Sequence, residues 1–200
     1  MEAFESFVAV ALEAEGFVVS EAVKFPVTLQ TAKAAYQETQ THGFEVDLVG
    51  ARSDRLVLAT VKSFFGSRGV VSDHVMGTTS NVRGRKLYAL LNDPLVRRTV
   101  ITAAAKRYGY KTTQVQLRLY VGRFAGPKHG THEAAIRAWA AKQRAGSGPI
   151  QVLGVTEVVD QVREAASHKQ YRDNAVLVTM KVLEGAGLLK LQLPEDIGPG

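Results

Sequence analysis

Phe44 to Ser63 read FEVDLVGARSDRLVLATVKS, and this stretch decides how the rest of the chain is interpreted. Apolar residues recur at alternate positions on both sides of a short polar segment, which is typical of two β-strands, 44–51 and 56–64, joined by a turn. The first strand carries an acid, Asp47, and the second carries a lysine, Lys62, near its end. Strand alternation predicts two faces for the first strand: Phe44, Val46 and Leu48 on one, and Glu45, Asp47 and Val49 on the other.

Patterns on either side of this hairpin predict further helices and strands. Asp93 followed by Pro94 is a helix start signal, and that helix is expected to run to about Tyr108. Strict alternation makes residues 114–121 the clearest strand, and a further strand is predicted over 150–155. Helices are also predicted over four other segments: 2–15, 84–92, 131–145 and 156–167. The order of elements predicts an α/β layered domain with a mixed central sheet.

Three segments have weaker patterns. Residues 22–42 combine an extended-type pattern over Val23 to Leu29 with helix formers and many polar side chains, which favours a mobile excursion from the domain. Residues 174–184 are apolar enough for either a strand or a buried helix. Residues 194–200 are expected to form a disordered tail.

Composition limits the class of protein. A chain of 200 residues with 46% apolar and 22% charged residues is ordinary for one globular domain. No run of apolar residues is long enough for a membrane span, and the start of the chain lacks the basic segment of a signal peptide, so a cytoplasmic location is expected. Cysteine is absent, which excludes disulfides and thiolate metal sites and leaves Asp, Glu and His as metal ligands.

Charge is unevenly distributed along the chain. Thr60 to Arg144 contains 16 Lys or Arg and only three acids, a balance of +13, whereas the whole chain has a net charge of +6. The remaining residues therefore carry −7. Such a separation is the expected footprint of a surface that binds a polyanion, and the alternative is a set of solvated basic helix faces.

In Glu5, Asp47 and Lys62 the sequence resembles the PD-(D/E)xK nuclease superfamily, which includes restriction enzymes and Holliday-junction resolvases. The resemblance covers roughly residues 1–125. It is carried by Glu5 in the first helix, by Asp47 in EVDLV, and by Lys62 in TVKS, which stands where the family has acid-x-Lys-Ser. It implies a restriction-endonuclease-like three-layer core with a mixed central sheet and flanking helices. Residues 126–193 would then be an extension of the same domain.

The resemblance implies a metal-dependent DNA endonuclease acting on duplex or branched DNA. Asp47 would be the main ligand of Mg²⁺ (or Mn²⁺), Lys62 the catalytic lysine, and Glu5 an auxiliary catalytic group. A hard cation of this kind prefers oxygen ligands and keeps several waters. It lowers the pKa of a bound water and offsets charge on the phosphate oxygens, while a nearby lysine stabilises the transition state.

Thr60 departs from the family pattern, because it occupies the position of the second acid. Asp73 is the first candidate for a displaced ligand, and Glu45 is the second, since alternation places it on the same face as Asp47. The other interpretation is that metal binding has been lost and that the fold serves as a catalytically inactive DNA-binding module. A small-molecule α/β enzyme is a third alternative, but the sequence carries no motif for one.

Several basic side chains are candidates for nucleic-acid contacts. The turn from Asn81 to Lys86 has the composition of a phosphate clasp, although a solvated turn would look the same. The predicted nucleic-acid-binding residues are Arg68, Arg83, Arg85, Lys86, Arg97, Arg98, Lys106 and Arg107.

Other candidate residues have a weaker basis in the sequence. Tyr108 and Tyr110 could stack on bases, but packing is favoured. His74, His129 and His132 are weaker candidates for a metal or general-base role. The C-terminal part is expected to pack on the domain or to form a homodimer.

Overall fold

A computed structural model describes residues 2–30, 39–126, 131–168 and 173–190. The helices of the protein are arranged around a central sheet. Within these residues the sheet has five strands, in the order β1-β2-β3-β4-β5. The first three strands pair antiparallel, and β3, β4 and β5 pair in parallel. The strands are β1 (Val18–Gln30), β2 (Thr39–Arg52), β3 (Arg55–Lys62), β4 (Val115–Val121) and β5 (Gln151–Gly154).

Helices flank the sheet on both faces. They are α1 (Ala3–Ala14), α2 (Ser72–Met76), α3 (Val82–Lys86), α4 (Ala89–Asn92), α5 (Pro94–Tyr108), α6 (Thr131–Ala140), α7 (Val155–Ser167) and α8 (Ala175–Gly185). One core lies under α5 and includes Leu58, Leu117 and Val100, and we call this side the α5 face. The other core lies under α1, α7 and α8, and we call this side the α1 face. The mixed sheet with flanking helices agrees with the predicted α/β fold class.

Strand β4 has the predicted alternation, but both of its faces are buried. The polar face carries Arg118, which is only 4% exposed. Its guanidinium donates two hydrogen bonds, of 2.6 and 2.8 Å, to the Glu15 carboxylate, and a third of 3.0 Å to the Tyr120 hydroxyl. Burial raises the pKa of Tyr120 to about 12. A buried charge needs such partners, so this ion pair fixes the end of α1 against the sheet.

Strands β1 and β2 change face together in the middle of the ribbon. The register runs through Glu21↔Leu48 and resumes at Val23↔Val46, so the pair between them, Ala22 and Asp47, is skipped. Leu48 lies in the core of the α1 face and Val46 in that of the α5 face. The predicted common face for Phe44, Val46 and Leu48 is therefore wrong. Alternation fails because the strand twists at Asp47, and the inference that Glu45 shares the face of Asp47 fails with it.

Residues 22–42 are the second difference from the sequence prediction. Most of this segment belongs to β1 and β2, and its apolar residues Val23, Phe25 and Val27 are buried on the α5 face. The residues between them, Lys24 and Pro26, are exposed, which is the normal pattern of a sheet with one solvated face. The described part is therefore not an excursion from the domain. Residues 31–38 and the predicted tail lie outside the described residues.

The helix prediction that rested on Asp93 and Pro94 was accurate, whereas the helix predicted over 131–145 ends at Ala140. Helix α5 spans the predicted residues, and the Asp93 carboxylate accepts from the backbone N–H groups of Leu95 and Val96 at 2.9 and 3.2 Å. The single helix predicted over 84–92 is wrong: α3 and α4 are separate, because the backbone of the buried residue Tyr88 leaves the helical conformation (φ −121°, ψ 23°). Residues 174–184 are helical and, with α7, pack on the α1 face. In the described part of the chain, no helix has the length and apolar character to cross a membrane.

Ala22 provides a test of the change of face. Its φ of +49° is unfavourable for a residue with a Cβ, by about 1–2 kcal/mol. Ala22→Gly removes this cost but adds about 0.5–1 kcal/mol of unfolded-state entropy, so its stability is expected to equal or exceed that of the wild type. Ala22→Val should lower the free energy of unfolding by more than about 1 kcal/mol. Urea denaturation measures both.

Ser20→Gly is the matched control for this prediction, because Ser20 is exposed on the same strand and is regularly paired with Val49. It should be destabilising, by about 0.5–1 kcal/mol. If Ala22→Gly lowers stability as much as Ser20→Gly does, the strain at Ala22 is not real.

Candidate active site

Asp47 lies where β2 separates from β3. The ladder between these strands ends at Leu48↔Ala59. Beyond it, the Asp47 carboxylate replaces the missing backbone acceptor, because its Oδ2 accepts a hydrogen bond of 2.7 Å from the backbone N–H of Val61. The same oxygen accepts a bond of 3.2 Å from Nζ of Lys62. The predicted acid and lysine therefore form a direct ion pair at the end of the hairpin.

The exposure of this pair suits a reactive site. The side chains of Lys62 and Asp47 are 19% and 22% exposed, so both are partly shielded but reachable from solvent. Oδ2 of Asp47 has two donors, whereas Oδ1 receives no hydrogen bond from the described residues. That oxygen is the one atom of the pair with free acceptor capacity.

The start of α1 is attached to the chain just after Lys62. The Ser63 hydroxyl donates a 2.7 Å hydrogen bond to the Glu2 carboxylate. The rings of Phe4 and Phe65 meet edge to face at 5.4 Å between centroids. Glu5 is half-buried, and its Oε2 accepts a 3.0 Å bond from the backbone N–H of Glu2, so in this structure it caps its own helix. The structure thus brings the first turn of α1 to the end of β3, with Glu5 engaged locally.

The segment after Lys62 is a tight turn. Phe64 has a φ of +45°, and its carbonyl oxygen accepts a hydrogen bond of 3.2 Å from the N–H of Ser67. Gly122 lies beneath the turn and donates a 2.9 Å bond to the Lys62 carbonyl oxygen. A Cβ at position 122 would collide with the Ser63 carbonyl oxygen, so only glycine allows this approach.

The other predicted metal ligands do not join Asp47 in one cluster. Glu45 is exposed and lies 3.6 Å from Nζ of Lys24 on the neighbouring strand. Asp73 is exposed on α2. Thr60 is 7% exposed, inside the hairpin. Among the described residues, no three His, Asp or Glu side chains lie close enough together to hold a metal ion.

The predicted nucleic-acid-binding residues fall into two groups. Arg68, Arg85, Lys86, Arg98 and Lys106 are exposed, and so is Arg83. Arg97 is half-buried, whereas Arg107 is also exposed, but both have contacts within the protein. Nη1 of Arg97 donates to the Leu91 carbonyl oxygen at 2.9 Å, and burial lowers the pKa of this arginine. Arg107 lies 5.8 Å from the centre of the Phe25 ring. The exposed side chains of the first group, which have no hydrogen-bond or ion-pair partner among the described residues, are therefore the ones available to a ligand.

The remaining candidates are mostly structural. Tyr110 is half-buried and donates a 2.8 Å hydrogen bond to the Arg52 carbonyl oxygen, which fits the packing interpretation. The Nδ1 atom of His132 accepts from the backbone N–H of Ser72 at 3.3 Å and lies 2.9 Å from its hydroxyl oxygen. The ring of His74 packs on Gly84, where a Cβ would clash with it. His129 lies outside the described residues.

Sequence reasoning missed the contribution of Glu2 and Ser63. The residue types gave no indication of it, because a serine after a strand and a glutamate before a helix are common. Gly66 and Gly69 soon after Lys62 are typical of a turn, but they carry no information about its contact with α1.

Comparison with known proteins gives no independent assignment. No protein-family model matches the chain, and no curated protein matches it.

Asp47 has a structural role that can be separated from any chemical one. Asp47→Ala leaves the Val61 N–H without its acceptor in a partly buried position, so we expect a loss of about 1–3 kcal/mol in the free energy of unfolding. Asp47→Asn keeps an acceptor oxygen and removes only the charge, and should lose less than half as much. Urea denaturation of both variants tests this. Equal losses would show that the hydrogen bond to Val61 does not stabilise the hairpin.

Proposed function

We propose that this protein is a metal-dependent DNA endonuclease that hydrolyses phosphodiester bonds. The observation that supports it most is the Asp47–Lys62 ion pair, in which a carboxylate and an ammonium group, 3.2 Å apart, lie partly exposed at one end of the central hairpin. The attachment of the first turn of α1 beside this pair adds to the support. The resemblance to PD-(D/E)xK nucleases rests on the same residues.

The residues present are compatible with Mg²⁺ or Mn²⁺ but supply few ligands. Mg²⁺ typically takes one or two protein carboxylates and completes its shell with waters and substrate phosphates. Asp47 would hold the ion through Oδ1, the oxygen that accepts no bond from the described residues. When bound, the ion lowers the pKa of a water and neutralises charge on the phosphate.

Asp47 and Lys62 have distinct tasks in this proposal. The Val61 N–H holds the Asp47 carboxylate in one orientation, so its free oxygen points consistently toward the same position. The Lys62 ammonium donates one N–H to that carboxylate and keeps two donors, which orient an attacking water and stabilise the charge that develops on the phosphate oxygens.

DNA is the proposed partner because the exposed basic residues on α3 and α5 form no ion pair with a carboxylate of the described part of the chain. The exposed group on α3 and α5 lies in the segment with a charge balance of +13. Contacts of this type go to phosphates, so affinity is expected to fall with increasing salt and to depend little on sequence.

A catalytically inactive DNA-binding module is the second candidate. It is favoured by Thr60, which offers a buried hydroxyl where the resemblance calls for an acid, and by the lack of a three-ligand cluster in the described ranges. In this case the basic residues would be the working surface and Asp47 would have only the structural role described above.

Cleavage of linear, branched and single-stranded DNA in Mg²⁺ or Mn²⁺, compared with EDTA, tests the first proposal. Asp47→Asn and Lys62→Met should each reduce metal-dependent cleavage by at least about 100-fold, because each removes a charge from the reacting centre. Asp54→Asn is the matched control, since this exposed acid lies in the turn at the opposite end of β3. Wild-type activity in both site variants would overturn the proposal.

Thr60→Asp distinguishes the two candidates. Thr60 and Lys62 share a strand face, so an acid at position 60 would lie near the pair formed by Asp47 and Lys62. A carboxylate at a site that is only 7% exposed should lower the melting temperature in EDTA, and Mg²⁺ should restore it. Thr60→Val is the control and should show no response to metal. Metal-dependent cleavage by Thr60→Asp but not by the wild type would establish the inactive module.

A further inference from the structure

A cleft adjoins the candidate active site. It has a volume of about 320 Å³ and lies between the turn after β3 and helix α3. The turn contributes Phe64, Ser67 and Arg68, and α3 contributes Arg83 and Gly84. Most of the remaining lining comes from His74, Asn81, Leu87 and Tyr88. Its size is at the lower end for sites that bind small molecules, and is suited to one nucleotide.

The turn connects this cleft to the candidate active site. It begins directly after Lys62 and Ser63, and its side chains Phe64 and Ser67 line both this cleft and the open groove beside the start of α1. A ligand in the cleft is therefore separated from the Lys62 end of β3 by the thickness of one turn of backbone.

Two arginines in the lining have no partner among the residues that the structure describes. Elsewhere in the protein, Arg52, Arg118 and Arg137 each form an ion pair with a carboxylate at 2.6–2.8 Å. Arg68 and Arg83 have no carboxylate within 4.0 Å among the described residues, and no acid lines the cleft. Two guanidinium groups without a carboxylate at one cleft favour an anion, and phosphate is one of the anions that arginine binds through two parallel hydrogen bonds.

The floor of the same cleft is apolar. Leu87 is 49% exposed although it is a large aliphatic side chain, and Phe64 is half-buried. Below them the Tyr88 ring is 2% exposed, and the His74 ring packs against the backbone at Gly84. Apolar and aromatic surface beside a phosphate-binding group is the combination that holds an unstacked base.

We propose that this cleft binds one unpaired nucleotide of a DNA strand, with its phosphate between Arg68 and Arg83 and its base on Leu87 and Phe64. The inference rests on the proposed function and names its substrate class: DNA that contains a single-stranded segment at or beside the cleaved bond. A base inside a duplex is stacked and paired, so it cannot enter a one-nucleotide cleft without the cost of unpairing.

Binding without metal tests the cleft independently of cleavage. Fluorescence anisotropy in EDTA compares oligo-dT, an abasic strand of the same length and a blunt duplex. The double variant Arg68→Ala/Arg83→Ala should bind oligo-dT at least about 10-fold more weakly. Its salt slope should fall by about 0.7, because the two arginines neutralise one phosphate and each neutralised phosphate of a single strand contributes about 0.7 to the slope. Its affinity for the duplex should change by less than about threefold, because paired bases do not use the cleft.

Leu87→Ser tests the base contact. The wild type should prefer oligo-dT to the abasic strand by about 10-fold, and Leu87→Ser should reduce that preference without changing the salt slope.

Arg144→Ala is the matched control for the arginine variants. Arg144 is exposed and lies two residues before Gly146, which contacts the start of β4. That end of the sheet is about 20 Å from the strand ends that carry the candidate site. Arg144→Ala should leave the ratio of single-strand to duplex affinity unchanged.

The outcomes separate the inference from the proposed function. Equal reductions in affinity for single strand and duplex in the double variant, or no preference of the wild type for oligo-dT over the abasic strand, would overturn the cleft assignment whatever the protein cleaves. A selective reduction in oligo-dT binding supports the cleft even if no metal-dependent cleavage is found, in which case only the nuclease proposal fails.

Discussion

The hydrogen bond from the Val61 N–H to the Asp47 carboxylate is the contact on which the rest of the candidate site depends. It forms where β2 can no longer pair with β3 through its backbone, so a side chain takes over the role of a strand partner. A partly buried N–H needs an acceptor, and this need holds Asp47 in one orientation. The same carboxylate oxygen accepts a hydrogen bond from the Lys62 ammonium group, so one atom both stabilises the hairpin and positions the lysine.

The separation of the two strands is in turn linked to the path of the β1–β2 ribbon. At Ala22 and Asp47 the ladder is interrupted, and beyond this point Val23 and Val46 pack under α5 instead of under α1. A ribbon that crosses from one face of the sheet to the other must twist sharply, and Ala22 carries the twist at a positive φ. The candidate acid therefore lies where the β1–β2 ladder is interrupted, opposite a residue with a positive φ, and its side chain is released from regular pairing.

Charge is used in two different ways in this protein. Arg118 and Arg137 are part of the basic segment that the sequence singles out, yet the structure places them in internal ion pairs. Arg118 fixes α1 through Glu15. Arg137 pairs with Glu133 of its own helix, α6, and joins α6 to α7 through Glu157. The charge asymmetry read from the sequence thus overstates the basic surface. What distinguishes Arg68 and Arg83 is that the described residues offer them no carboxylate.

The sequence by itself determined the local features: the hairpin, the alternation of β4, the capped helix α5, and the two residues that form the ion pair, since strand periodicity and capping depend on neighbours in the chain. It could not determine that Val46 and Leu48 lie in different cores, that Glu45 pairs with Lys24, or that Glu2 meets Ser63. These contacts join residues far apart in sequence or depend on where a strand twists. They were decided by the tertiary structure, because packing against both faces of the sheet, and not local propensity, sets which strand pairs continue and which side chains meet.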